Sequence, residues 1–258
     1  MKSRDALIVP SDFIKYIAKV KKCRVDEIKV PPGLFVTYQT RTYERVKSLI
    51  DGKSVAWWAY GGAQPFCVGS FCGKPVGAIR LFIGASAAVT TLEELIVCGA
   101  KLIFEVGFAG GLQPSLEPGS VVVIDEAFRD EGTSRHYFPA QVKALPSNRL
   151  KKMLIDELVR VKLEHSVGSV WSIDAVYRET CRKFRKFRKS GVLCVDMETS
   201  AVFTVAKYRG VEAVSVQVIS DVLSEIEWQP HFFTHRLVRE NTDKVTEVVL
   251  RTLAEAYE

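Results

Sequence analysis

Two carboxylates in this sequence stand where a chain commonly hands side chains to a ligand. Asp196-Met197-Glu198 opens an apolar helical stretch that continues through Ala201, Val202, Val205 and Ala206. A carboxylate at Glu198 could take both hydroxyl hydrogens of a vicinal diol. Asp196 reads more simply as a cap, since an acidic side chain in a first helical turn satisfies free N–H groups and the dipole. Ser220-Asp221 ends the apolar run Val214–Ile219, and strand C-termini are where α/β sheets place ligands. A partly desolvated carboxyl there favours its protonated form and suits general-acid work, the alternative being a cap on the next turn. Gly107-Phe108-Ala109-Gly110-Gly111 follows the apolar run 102–106 directly. A glycine turn at that place would let a ligand approach main-chain N–H groups closely. It is not a GxGxxG fingerprint and no P-loop lysine follows, so dinucleotide and nucleoside-triphosphate readings lose ground.

Two further segments mix aromatic, cationic and acidic groups. Asp174-Ala175-Val176-Tyr177-Arg178-Glu179-Thr180 follows a mostly apolar stretch at 167–173, and an aromatic face with flanking donors suits a planar heterocycle. An ordinary polar loop after a strand reads equally well. Asp130-Glu131-Gly132-Thr133-Ser134-Arg135-His136-Tyr137 is as dense in polar groups, and a lone His136 is more often a structural hydrogen-bonder than a catalyst. Nucleophile-elbow, HExxH and Cys/His arrangements are absent.

These residues need elements to position them. Near-continuous apolar runs at 102–106, 120–124 and 214–219 fit central strands covered on both faces. A short strand is expected at Leu7-Ile8-Val9, then a cap at Pro10, Ser11 and Asp12 and a helix; the segment 54–83 reads as successive strands with tight turns. Helices are expected at 43–50, 87–98, 147–164, 198–209 and 235–257. Strands alternating with helices imply a three-layer α/β/α architecture with a mixed, largely parallel central sheet, and 258 residues suit a single domain over 1–258.

Composition is that of an ordinary globular protein, without a run long enough to span a membrane and without a signal-peptide pattern, so a cytoplasmic location is expected. Six cysteines form no CxxC pair and have no histidine at zinc spacing; they read as mostly buried thiols, with Cys67 and Cys72 close enough to pair across a hairpin. No metal site is expected. Much of the +6 net charge lies at 182–189. Phe184 and Phe187 fall three apart within that run, so it reads as a solvated helix with a buried aromatic edge rather than a nucleic-acid surface.

Taken in order, GFAGGL (107–112), LEPGSVVV (116–123), DEGTSRHY (130–137), DAVYRET (174–180), DMETSA (196–201) and ISD (219–221) resemble the nucleoside phosphorylase family. That family spans uridine and purine nucleoside phosphorylases and methylthioadenosine nucleosidases, and the likeness lies nearest its uridine phosphorylase-like branch. The resemblance implies that Met197 and Glu198 hold the ribose, with the glutamate on its hydroxyls. It implies that Asp221 protonates a leaving purine, so a purine is favoured over uridine. Phe108, Ala109 and Gly110 would contact substrate from the glycine turn, and Tyr177 and Arg178 would serve base recognition, with Val176 where an aromatic is usual. The partners implied are a nucleoside and inorganic phosphate as co-substrate, with no cofactor, no membrane and no nucleic acid. A homo-oligomer, a hexamer or trimer of dimers, is also implied.

The chain departs from the family at the phosphate. Ser11-Asp12-Phe13-Ile14-Lys15 stands for the usual Gly-Asp-Pro-x-Arg turn, Glu105 for an arginine, Phe108 for a hydroxyl residue, and Gly62 for an arginine lent by a neighbouring subunit. A glutamate facing phosphate repels it. Either Lys15, with Arg41 reaching in from an insertion-like region, binds phosphate, or water is the nucleophile. As a nucleosidase the chain would lack the acidic base expected near the N-terminal strand, where Lys15 stands with Asp12 nearby. A catalytically degenerate nucleoside-binding protein is the third reading.

Overall fold

Along the strand at 102–111 successive side chains enter opposite cores, as period-two geometry demands of a strand covered on both faces. Ile103 packs into one hydrophobic cluster, while Leu102, Phe104 and Val106 pack into the other. The computed structural model describes residues 6–225, 228–230 and 234–257. After helix α1 (Pro10–Lys21) come β1 (Gly33–Thr37), α2 (Thr40–Leu49), β2 (Lys53–Ser54), β3 (Phe66–Phe71), β4 (Lys74–Arg80) and α3 (Ala85–Val97). Then follow β5 (Leu102–Gly111), β6 (Val121–Arg129), α4 (Asn148–Arg160), β7 (Ser166–Ser172) and α5 (Cys181–Lys189). The chain continues with β8 (Cys194–Asp196), α6 (Thr199–Arg209), β9 (Glu212–Val222), β10 (Gln229–Pro230) and α7 (Arg236–Glu255).

The sheet runs β10-β9-β6-β7-β8-β5-β1-β4-β3-β2 and β5 also pairs with β9. The strands β5, β9, β6, β7 and β8 therefore close on one another, and β1 to β4 extend the sheet from that ring. Pairs of β1 with β4 and β5, and of β5 with β9, are parallel; the hairpin β3–β4 and the β6–β9 and β5–β8 contacts are antiparallel. Helices α1, α3 and α6 supply one face's core through Ile14, Ile17, Leu92, Leu95, Val202 and Phe203. Helices α2, α4 and α7 supply the other through Tyr43, Leu154, Leu158, Val245 and Leu253. This is the expected layered α/β arrangement.

Two local expectations are corrected. Leu7 and Ile8 form no strand: they are 99% and 78% exposed, with no sheet edge beside them, and apolarity alone does not make a strand without a partner. The first strand is β1, much further along. The glycine segment 107–111 is no turn either; it is the second half of β5. Its glycines avoid positive φ and serve close packing. A Cβ at Gly107 would meet Gln217 Oε1 at 2.4 Å, and one at Gly110 would meet Leu223 Cδ1 at 2.3 Å. The helix at 181–189 follows its expected amphipathic plan: Phe184 and Phe187 are buried, and Phe187 stacks on Trp171 with ring centroids 4.6 Å apart. Cys67 and Cys72 are both free, the first buried in β3 and the second exposed in the turn after it.

The interior also stores a pH dependence. Glu94 in α3 accepts a hydrogen bond from Tyr60 at 2.8 Å, and burial pushes its carboxyl from 4.5 up to about 7. Burial raises Glu105 and Glu179 to about 7 as well. A carboxyl raised by folding gives stability that is full below pH 4.5 and lost as pH climbs through about 7. Glu94→Gln, which keeps an acceptor for Tyr60, is expected to match the native protein near pH 4.5 and exceed it by roughly 1 kcal/mol, a few degrees in Tm, at pH 8. Thermal melts across that range check this; a Glu94→Gln protein no more stable at pH 8 than the parent would refute it.

Candidate active site

A cavity of about 1190 Å³ opens between the C-terminal ends of β1, β5 and β9 and the starts of α2 and α6. One wall comes from β5, where Phe108, Ala109 and Gly110 face it. Opposite the bulge at Ala109/Gly110 the register with β9 skips, so that Ala109 pairs with Ile219 and Gly110 with Asp221. That skip turns Ser220 and Asp221 into the cavity. Asp221 is anchored there by two donors, Ser220 Oγ at 2.7 Å on one oxygen and Trp228 Nε1 at 2.8 Å on the other.

Met197 and Glu198 join β8 to α6 and line the same cavity. Glu198 is 6% exposed. Its Oε1 accepts the Gly84 N–H at 2.6 Å and its Oε2 accepts the Met197 N–H at 3.2 Å. Gly84 caps α3 with φ of 105°, a conformation open to glycine and strained for other residues, and this is how its N–H is aimed at the glutamate. Burial first, then the neighbouring Asp196, holds the Glu198 carboxyl well above its usual range. Asp196 takes the role of a structural acceptor: Ser172 Oγ lies at 2.5 Å and the Thr199 N–H at 3.0 Å, so it fixes the first turn of α6.

Deeper in, Glu105 is 1% exposed on β5. It accepts the Tyr38 hydroxyl at 2.6 Å on one oxygen and the Thr199 hydroxyl at 2.8 Å on the other. Burial and the nearby Asp196 raise it to about 7. Burial, then Glu105 and Glu198, raise the Tyr38 phenol too.

The remaining expected site residues divide. Tyr177 stands at the cavity rim, 97% exposed, beside Val176. Arg178 is exposed and not part of the lining. Arg41 lies on the cavity wall at the start of α2, in a two-bond pair with Asp243 at 2.7 Å. Lys15 is not brought to the cavity: it sits on α1, its side chain 61% exposed and paired with Asp12 at 3.6 Å. The physical reason is register. The first strand that leads into the cavity is β1, so the segment after it, Tyr38 to Thr42 at the entrance of α2, lines the site where Ser11 to Lys15 was expected. The segment 130–137 stays outside the lining; Arg129 pins it through five hydrogen bonds to Ser134, Phe138, Pro139 and Val142, and Glu131 is consumed by Ser134 and Ser200.

Beyond the expected set, Tyr38, Glu179 and Trp228 also line this cavity, and Gly84 serves it through its bond to Glu198. Glu179 lines the cavity close enough to Asp221 that the latter's charge, after burial, helps raise it to about 7. A glycine between the β4 run and an apolar helix was the one available signal for Gly84.

Among the described residues no helix is long and apolar enough to cross a membrane. The arrangement has close relatives. The chain is 30% identical over 162 residues to the uridine phosphorylase of Treponema pallidum, covering 58% of this chain and 63% of that one, so somewhat under two thirds of that relative's length is matched. It is 26% identical over 197 residues to the guanosine phosphorylase of Halorubrum lacusprofundi, covering 76% and 79%. Among solved structures, uridine phosphorylase from Vibrio fischeri superposes with a TM-score of 0.79 at 26% identity, over 89% of this chain and 95% of that one. Purine nucleoside phosphorylase from Toxoplasma gondii, in complex with immucillin-H, shares the fold with a TM-score of 0.80 at 20% identity, over 90% and 93%. The profile of the phosphorylase superfamily matches residues 27–257, beginning after the helix that carries Lys15 and running through every strand that builds the cavity, and the chain belongs to that superfamily.

Proposed function

We propose that this protein is a nucleoside phosphorylase that cleaves the N-glycosidic bond of a ribonucleoside, a purine before uridine, and transfers the pentose to phosphate. The observation that carries this reading is the convergence of Glu198 and Asp221 on one cavity. Glu198 would accept the ribose hydroxyls. As the bond from C1′ to the base breaks, the sugar gains positive character and the base negative charge; Asp221 would donate a proton or hydrogen bond to the base. A phosphate oxygen attacking C1′ then gives free base and pentose-1-phosphate. The start of α2 supports the phosphate half. Thr40, Arg41 and Thr42 line the cavity there, Gln39 supplies no side-chain cap, and the first N–H groups of a helix have no intrahelical acceptors.

One observation favours water instead: the buried Glu105, with Tyr38 bonded to it, brings negative charge where the resemblance leads one to expect an arginine. Inosine, guanosine, adenosine and uridine, each incubated with and without phosphate, separate the readings. Pentose-1-phosphate formed only with phosphate is the expected result. Free ribose without phosphate would make the enzyme a nucleosidase, and binding without base release would make it a ligand-binding member of the superfamily.

A further inference from the structure

We infer that the Tyr38 hydroxyl, committed as a donor to the buried Glu105, offers the cavity an acceptor and so admits a nucleophile that carries its own proton. The inference rests on the glycosidic-cleavage reading of the cavity and adds a rule for what attacks. A phenol has one hydrogen and two lone pairs. Here the hydrogen points inward, to Glu105 at 2.6 Å. As a carboxylate Glu105 can only accept, and it does so on both oxygens. Its second oxygen is filled by Thr199 at 2.8 Å, and Thr199 Oγ1 is held by Gln217 Nε2 at 3.1 Å, which also reaches Ser215 at 3.0 Å. The chain of donors therefore runs in one direction, toward Glu105.

Charge reinforces that direction. Burial first, and then Glu105, Glu198 and Asp196, hold the proton on the phenol. A ligand arriving at Tyr38 therefore meets the phenol's lone pairs rather than its proton. Water satisfies them with an O–H, and so does a phosphate that retains a proton near neutral pH. Sulfate has none to give, and acceptor facing acceptor repels. Glu105 is thus a positioning residue acting through Tyr38, and the shared chemistry of the selected nucleophile is a donated O–H; the product, free ribose or pentose-1-phosphate, identifies which one is used.

The test is a comparison of phosphate with sulfate at fixed ionic strength, by calorimetric titration of the whole protein, which does not depend on turnover. The native protein is expected to bind phosphate at least about tenfold more tightly than sulfate, the scale of one mismatched buried hydrogen bond. Glu105→Met removes the inner acceptor at similar length, frees the Tyr38 hydroxyl to turn outward as a donor, and should raise sulfate affinity by about tenfold. Tyr38→Phe combined with Glu105→Met should abolish that gain. Equal binding of the two anions by the native protein would overturn the inference without requiring any variant to fold. So would a gain that survives in the double variant, since loss of negative charge alone would then account for it. Where neither anion binds, water is the nucleophile, and Tyr38→Phe must lower phosphate-independent ribose release by at least about tenfold; unchanged release overturns the inference. Absence of cleavage with every nucleoside would instead sink the functional reading and leave the anion comparison standing.

Discussion

Glu198→Gln is expected to lower kcat/KM by roughly 10³-fold, the loss seen when one fixed electrostatic contact to a transition state is removed, while the protein stays folded. The asymmetry between activity and stability follows from the site. Glu198 is almost fully buried, and burial and Asp196 make its charged form unfavourable in the empty cavity. A neutral amide removes that cost, keeps the volume, and can still accept the Gly84 N–H through its oxygen. Stability should therefore hold or rise. What the amide cannot do is become an anion when two ribose hydroxyls arrive. In the native protein those donors favour the carboxylate, so nucleoside binding should release a proton near neutral pH. Glu198→Gln should bind without release, which calorimetry in buffers of different ionisation enthalpy reads directly. A variant with kinetics within about threefold of the parent would remove Glu198 from the sugar site.

The same residue shows how far sequence carries. Glu198 and Asp221 were legible because each closes a clear pattern, one at the entrance of an apolar helix and one at the exit of an apolar strand. The layered architecture was legible because period-two burial on both faces leaves near-continuous apolar runs such as 102–106. Patterns failed where the deciding quantity was a partner far away in sequence. Leu7 to Val9 looked like a strand, and only the absence of a neighbouring edge made it none; the error then put the expected phosphate residues at Ser11–Lys15, whereas Tyr38 to Thr42 are the ones that line the cavity. The glycines of 107–111 looked like a turn because glycine permits turns, yet their purpose is to let Gln217 and Leu223 approach. Glu105 was visible as an odd residue at a family position, but its bond to Tyr38 spans 67 positions and no local pattern encodes it.

Those long-range contacts also explain why the cavity holds several acids without collapsing into repulsion. Each carboxylate has its own donor groups: the Ser172 hydroxyl and Thr199 N–H for Asp196, the Gly84 and Met197 N–H groups for Glu198, the Tyr38 and Thr199 hydroxyls for Glu105, and the Ser220 hydroxyl and Trp228 indole N–H for Asp221. Glu179 differs, lining the cavity near Asp221 with no side-chain hydrogen bond or ion pair among the described residues. Because these donor groups are distinct, Glu198 and Asp221 can be perturbed independently.

Asp221→Asn accordingly tests the base end alone. It should reduce turnover of a purine nucleoside by about 10²-fold or more, the range for loss of a positioned proton donor, with a markedly smaller loss for uridine. Asparagine preserves an oxygen to accept from Ser220 or Trp228, so the pocket should keep its shape; it cannot yield an acidic proton. Glu179 is not a ready substitute. Its elevation to about 7 comes from burial and then from the charge on Asp221. Among the described residues no side-chain hydrogen bond aims Glu179 at a base, and its carboxyl ionises as pH rises. The residual purine activity of the variant should therefore rise as pH falls. A ribosyl substrate whose leaving group departs without protonation, para-nitrophenyl riboside, should be cleaved by the variant at close to the parental rate. If purine, uridine and nitrophenyl substrates all lose activity by the same factor, Asp221 holds the cavity together and transfers no proton, because a structural loss cannot distinguish among leaving groups whereas a missing acid must.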